Sequence, residues 1–189
     1  MRIKSAVGIT AIAAMAACFA CKGKETPVQE ITAVVKTETA SAVKTPYSKK
    51  GTYFNLPAVT GGQIDLASYA GKPVLFMLFT ETCPYCRRAA PALEKLHKTY
   101  GPKGLIVLGL CTEDEARAAK QFADDLGITF PLAYSARPVY QQYKAQGVPY
   151  IFLLNAAHEV VTVWPGYDNS FYREMEKTIT TELDKKTVR

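Results

Sequence analysis

The chain reads as an α/β sandwich built on a mixed sheet, and three observations predict it. Apolar runs at 74–79, 105–110 and 147–154 have the length of buried strands. Helical patterns follow the first two, which is the alternation that covers a sheet with helices. The third run is joined through the short turn 155–158 to another strand pattern at 159–164, a spacing that predicts an antiparallel hairpin.

Each element has its own local reason. Residues 61–73 (GGQIDLASYAGKP) form a turn, a short strand and a second turn that feed the central run VLFMLF at 74–79. Residues 87–97 have a helical pattern, and Pro91 within it predicts a kink. Gly104 ends a loop before the strand at 105–110. Thr112-Glu-Asp-Glu115 matches a capping box, opening a helix whose Ala116, Ala119, Phe122, Ala123 and Leu126 share a face. Gly127 ends that helix. Residues 130–134 are a short strand candidate and 138–144 a short helix. The strand at 147–154 is entered through Pro149. A last helix, capped by Asn169 or Ser170, carries Phe171, Met175, Ile179 and Leu183 at four-residue spacing. No internal repeat or second domain is visible.

The chemistry concentrates in Cys83-Pro84-Tyr85-Cys86, between the central run and the helix that follows it. Two thiols at i and i+3 on a first helical turn close a disulfide with little backbone movement. Cys83 would face unpaired N–H groups and the positive end of the helix dipole, both of which favour thiolate. This predicts a nucleophilic Cys83 near neutral pH and thiol–disulfide chemistry, with the redox-active disulfide in place of any cofactor. A structural zinc site needs about four ligands. Beyond the pair, residues 51–189 offer only Cys111, His97 and His158 among cysteines and histidines, so no metal is expected. A purely structural disulfide is an alternative, but its loop is too short to constrain the unfolded chain much. Cys111, at the end of the strand at 105–110, is either a third redox thiol or a buried packing residue. The two histidines read as surface or packing residues, Trp164 as a sheet residue, and Tyr134, Tyr140, Tyr143 and Tyr150 as groove lining or packing.

The amino terminus carries a different message. Met1-Arg-Ile-Lys4 is basic, and an apolar, Ala-rich run extends to Ala17. That is an export signal, too short for a permanent membrane span. Met15-Ala-Ala-Cys18 resembles the lipobox of bacterial lipoproteins, which implies lipidation at Cys18, with Cys21 as the alternative. Ordinary cleavage, giving a soluble periplasmic protein, is the other reading. The expected division is a leader at 1–20, a flexible tether at 21–50 with a reach on the order of 30 Å, and one domain at 51–189. The formal charge of +6 falls by two without Arg2 and Lys4 and is scattered, so no nucleic-acid partner is expected.

Taken together these residues resemble the thioredoxin fold, and within it the TlpA/ResA group of membrane-tethered periplasmic thiol–disulfide oxidoreductases. The resemblance covers about residues 51–185. It is carried by Ile64-Asp-Leu, Gly71-Lys-Pro-Val-Leu75, the Cys83/Cys86 pair, Pro91 and Gly147-Val-Pro149. It implies a three-layer α/β/α sandwich with a mixed central sheet, an N-terminal β extension and a helix–strand insert between Cys83 and Pro149. It also implies that Pro149 is cis beside the cysteines, with the Val148 backbone offered to a substrate strand and Pro84 and Tyr85 shaping contact with it. A trans proline is the alternative. By the same resemblance Cys83 attacks a protein disulfide and Cys86 resolves the mixed disulfide. Electrons would come from a membrane dithiol donor, and cytochrome c maturation is the implied setting.

Three positions depart from the pattern. Met77 stands where thioredoxins carry a buried Asp, Ala89 where many relatives carry a Glu, and Thr82 where a Trp is usual. Glu81 is then the nearest acid and the candidate proton acceptor. Arg87 and Arg88 add positive charge near the helix start. Two alternative activities stay open: a disulfide-forming oxidant, and a peroxiredoxin-like peroxidase using Cys83 within Thr80-Glu-Thr-Cys83, although Phe76 stands where that motif wants proline.

Overall fold

A strand that is apolar at every position must be covered on both faces, and Val74–Phe79 is such a strand. A computed structural model describes residues 51–187; the leader, Cys18, Cys21 and the tether lie outside the described residues. The elements run β1 (Asn55–Pro57), β2 (Gln63–Asp65), β3 (Val74–Phe79), α1 (Pro84–Tyr100), β4 (Ile106–Cys111), α2 (Ala116–Leu126), β5 (Leu132–Ala133), α3 (Arg137–Gln142), β6 (Tyr150–Leu154), β7 (Val160–Pro165) and α4 (Phe171–Thr187). Strands β1 and β2 form a small antiparallel hairpin. The other five make a mixed sheet in the order β5-β4-β3-β6-β7, with β3 at its centre. Strand β3 is parallel to β4 and antiparallel to β6.

The period of two along β3 divides the core. Leu75, Met77 and Phe79 pack with Leu93 of α1, Phe122 of α2 and Met175 and Ile179 of α4. Val74, Phe76 and Leu78 pack with Leu56 and Ile64 of the hairpin and Val139 of α3. All six side chains of β3 are fully buried. At about 1.5–3 kcal/mol per large apolar side chain, this strand is a main source of stability. The predicted three-layer sandwich is present. The second layer is thin, made of α3 and the β1–β2 hairpin, and the insert between Cys83 and Pro149 supplies α2, β5 and α3.

Several boundaries move, each for a physical reason. Helix α1 starts at Pro84, because proline suits the first helical position, where its missing N–H costs nothing. It continues through Pro91 as one helix of 17 residues. Strand β4 sits one residue later than expected and takes in Cys111. The capping box is not formed. Thr112 is turned inward, its N–H donating to Phe79 O at 3.0 Å and its hydroxyl to the same oxygen at 3.5 Å. Helix α2 begins after Glu115, which makes no side-chain cap bond. Its end at Gly127, in the left-handed region at φ 63°, is as predicted. The start of α4 is held by Asp168, whose carboxylate accepts from the Ser170 N–H at 2.8 Å.

Two side-chain sites make the packing testable. A Cβ at Gly109 would overlap the Leu132 side chain and press on Phe130 and Phe79 at 3.1 and 3.2 Å. Gly109→Ala should therefore cost about 1–3 kcal/mol of unfolding free energy; a urea midpoint equal to the wild type's would refute the close packing. Glu94 of α1 is buried and accepts from the Thr129 N–H at 2.9 Å and its hydroxyl at 2.6 Å, with Lys98 at 3.0 Å. Burial pushes this carboxyl up, but the Thr129 bonds and Lys98 outweigh it and hold it below the ordinary value of 4.5. A depressed carboxyl stabilises the fold above its unfolded value, and that stability is lost as pH falls through the folded value. Glu94→Gln should be less stable than wild type at pH 7, with the gap narrowing below about pH 4.5. A gap independent of pH would contradict this reading.

Candidate active site at the start of α1

Proline at the first helical position makes Cys83 the N-cap, the place usually taken by Ser, Thr, Asp or Asn. Here sulfur does the capping: Cys83 Sγ accepts from the Cys86 N–H at 3.2 Å. The Cys83 carbonyl accepts the first helical bond from Arg87 N at 3.0 Å. Cys83 is half-buried and Cys86 fully buried, and both are free thiols. Burial and then the hydrogen bond with Cys83 push the Cys86 thiol far above its ordinary value, while backbone groups of Thr80 and Cys86 pull the other way without reversing it. The site thus offers one reachable sulfur and one shielded thiol three residues on.

The Val148–Pro149 bond is cis. Pro149 directly precedes β6, and the Val148 carbonyl accepts from Cys83 Sγ at 3.6 Å, so this loop lies against the cysteines. Beside it runs a groove of about 360 Å³ lined by Gly147, Val148, Pro149, Tyr150, Pro165 and Gly166. The Gly166 N–H donates to the Pro149 carbonyl at 2.8 Å, joining two of the segments that line the groove. Pro84 is exposed. Tyr85 is 54% exposed, with the Arg88 guanidinium 4.2 Å above its ring. An exposed contact of that kind contributes about 0.5–1 kcal/mol.

Not every predicted residue joins the pair. Glu81 sits on the turn into Cys83, and its negative charge acts on Cys111. Met77 and Ala89 are buried apolar residues, so no carboxylate lies beneath Cys86 from those positions. Cys111 is fully buried, and its Sγ donates to Glu113 Oε2 at 3.4 Å. Burial, the Glu113 bond, and the Glu113 and Glu81 charges push its thiol up to about 12. Tyr143 packs edge-on against Phe76 and Phe152 on the opposite face of the sheet, while Tyr150 lines the groove. His158 is buried, with Nε2 3.2 Å from Tyr69 O, and Trp164 is 2% exposed.

The sequence missed two contacts here. Arg87, expected to add positive charge near the helix start, pairs its guanidinium with Asp125 at 2.8 Å and donates to the Glu81 carbonyl at 3.4 Å. Glu113, an interior position of the Thr112–Glu115 capping pattern with no role of its own expected, accepts from the Glu81 N–H at 2.8 Å. The only hint was the placement of Glu113 two residues after the strand-end Cys111, which the capping pattern obscured.

Residues 48–163 match the family model described as AhpC/TSA family. The thioredoxin-like protein YneN of Bacillus subtilis is 30% identical over 104 residues, 54% of this chain and 61% of YneN. The thiol-disulfide oxidoreductase ResA of Halalkalibacterium halodurans is 28% identical over 114 residues, 60% of this chain and 65% of ResA. The matched region spans less than two thirds of either relative. A solved thiol:disulfide interchange protein of the thioredoxin family from Chlorobium tepidum TLS superposes with a TM-score of 0.62 at 21% identity, covering 70% of this chain and 94% of that one. This likeness shows the thioredoxin fold.

The contrast between the sulfurs predicts selective labelling. With the folded, reduced protein, iodoacetamide should modify Cys83 and leave Cys86 and Cys111 until denaturant is added. Mass spectrometry showing Cys111 modified as fast as Cys83 would overturn the burial argument.

Proposed function

Because the chain belongs to the AhpC/TSA family, with a thioredoxin fold, we propose that it is a thiol–disulfide oxidoreductase acting on protein cysteines through the Cys83/Cys86 dithiol. One observation carries the reading. The reachable Cys83 Sγ lies 3.6 Å from the carbonyl of Val148, at a cis-proline loop beside an open groove. An extended substrate segment can pair with that backbone as an added strand and bring its own sulfur to Cys83.

The exchange then balances in two steps. Cys83 thiolate attacks one sulfur of the substrate disulfide, forming a mixed disulfide and expelling a substrate thiolate. Cys86 gives its proton to that departing thiolate and attacks Cys83 Sγ, releasing the second substrate sulfur. The substrate gains two electrons and the chain is left with a Cys83–Cys86 disulfide. Val148 and Pro149 hold the substrate backbone, and Tyr85 and Pro84 contact it from the exposed side. A buried Cys86 suits this order, since a shielded thiol reacts only with Cys83 Sγ, once that sulfur is bonded to the substrate.

We assign the physiological direction as reduction, with electrons resupplied by a membrane dithiol donor. The leader pattern at residues 1–20 supports export, and Met15-Ala-Ala-Cys18 supports a lipid anchor at Cys18, or at Cys21, with residues 21–50 as the tether. On this reading the domain works on the periplasmic side of a bacterial membrane, where reduction of apocytochrome c cysteines is the setting proposed. A resolving thiol only three residues from Cys83 favours disulfide exchange over peroxide reduction.

Insulin reduction tests the activity: wild type should be active and Cys83→Ser inactive, and equal rates would remove the proposal. Cys86→Ser should retain its substrate as a mixed disulfide on Cys83. A potential of the pair near −270 mV supports reduction, and one near −120 mV assigns the chain to disulfide formation.

A further inference from the structure

The turn that delivers Cys83 is gripped from two sides at one residue. Glu81 lies in the turn that Cys83 N–H closes onto Thr80 O at 3.4 Å. The Glu81 N–H donates to Glu113 Oε2 at 2.8 Å, and the Glu81 carbonyl accepts from Arg87 Nη1 at 3.4 Å. Each jaw is anchored in turn. Glu113 Oε2 also accepts from Cys111 Sγ at 3.4 Å, and the Glu113 carbonyl accepts from the Ser135 N–H at 2.8 Å. Arg87 Nη2 is held by Asp125 Oδ2 at 2.8 Å, whose other oxygen accepts from Gln121 at 2.6 Å. Helix α1, helix α2 and the end of β4 therefore converge on the backbone of a residue two before the reactive sulfur.

We propose that Glu113 is a positioning residue of the redox site: its carboxylate, through the Glu81 N–H, fixes the turn that aims Cys83 Sγ at the Val148 carbonyl. The inference rests on the reading of Cys83 as the attacking sulfur. A carboxylate accepting from a backbone N–H makes a bond about twice as strong as a neutral one. With both backbone groups of Glu81 engaged, the turn loses the freedom that would let the sulfur wander. Sulfur substitution is directional, and misplacement by about 1 Å can cost about a hundredfold in rate.

The sign of the effect separates positioning from charge. A negative group near a thiol disfavours its thiolate, so a Glu113 that acted through charge alone would speed Cys83 when removed. A clamp slows it when removed. The measurement is the second-order rate of Cys83 alkylation by iodoacetamide at pH 7 on the reduced full chain, with thermal unfolding confirming that each variant is folded. Glu113→Ala should react about tenfold more slowly. Glu113→Gln keeps an oxygen acceptor at the same reach and should stay within about twofold of wild type. Glu113→Asp keeps the charge but loses the reach and should be slow like Ala, which preserves the test if Glu113→Ala does not fold. A variant that alkylates faster than wild type, an Asp variant at the wild-type rate, or a Gln variant as slow as Asp overturns the proposal. Iodoacetamide needs no protein substrate, so this outcome is independent of whether insulin is reduced.

Discussion

The pairing register around β3 is the constraint on which the site depends. Leu78 of β3 faces Tyr150 of β6 across an antiparallel ladder. The residue before Tyr150 is Pro149, so the cis-proline loop must emerge at the end of the sheet where β3 turns toward Cys83. On the other side Phe79 faces Cys111 across a parallel ladder, which brings Glu113 to that same end. Three segments far apart in sequence meet because two ladders share one central strand. A slip of one residue in either would exchange side chains between the two faces of the sheet, and because both faces of β3 are fully buried it would force both cores to repack.

Around this frame the site separates two sulfurs that are chemically alike. Cys83 caps the helix from outside and stays reachable; Cys86 points into the core between α1 and the sheet and is pushed toward its protonated form by burial. With Met77 and Ala89 in the neighbouring buried positions, the core offers no carboxylate there to relieve that burial. The acidic groups gather instead on the β4 side, where Glu113 engages the turn backbone and the Cys111 thiol. Polar control of this site therefore runs through the loop that carries Cys83, and packing governs Cys86.

Local sequence signals were reliable wherever one interaction decided the outcome. The buried run at 74–79, the proline entering β6, the 159–164 partner of the hairpin and Gly127 as a helix stop all appear as read. The failure at Thr112–Glu115 is instructive. The pattern matches a helix cap, but Thr112 extends the β3–β4 pairing by donating to Phe79 O, and the helix starts only after Glu115. A tertiary partner outcompeted a local one, and nothing within four residues could reveal it. The partners of Arg87 were hidden for the same reason: its acceptors, Asp125 and the Glu81 carbonyl, are assigned by how α2 packs on α1 and by the turn before Cys83.

What the chain determined by itself was the fold class, the cysteine pair at the start of a helix and the proline beside it. These rest on short-range chemistry: two thiols three residues apart, a proline that suits the first helical position, and apolar runs long enough to demand cover. What only the tertiary structure decided was which sulfur is reachable, where each carboxylate acts and which groups hold the turn. Those depend on contacts between residues 32 to 65 positions apart, such as Glu81 with Glu113 and Cys83 with Val148. Side-chain direction at that range is set by sheet register and helix packing, which no single stretch of sequence encodes.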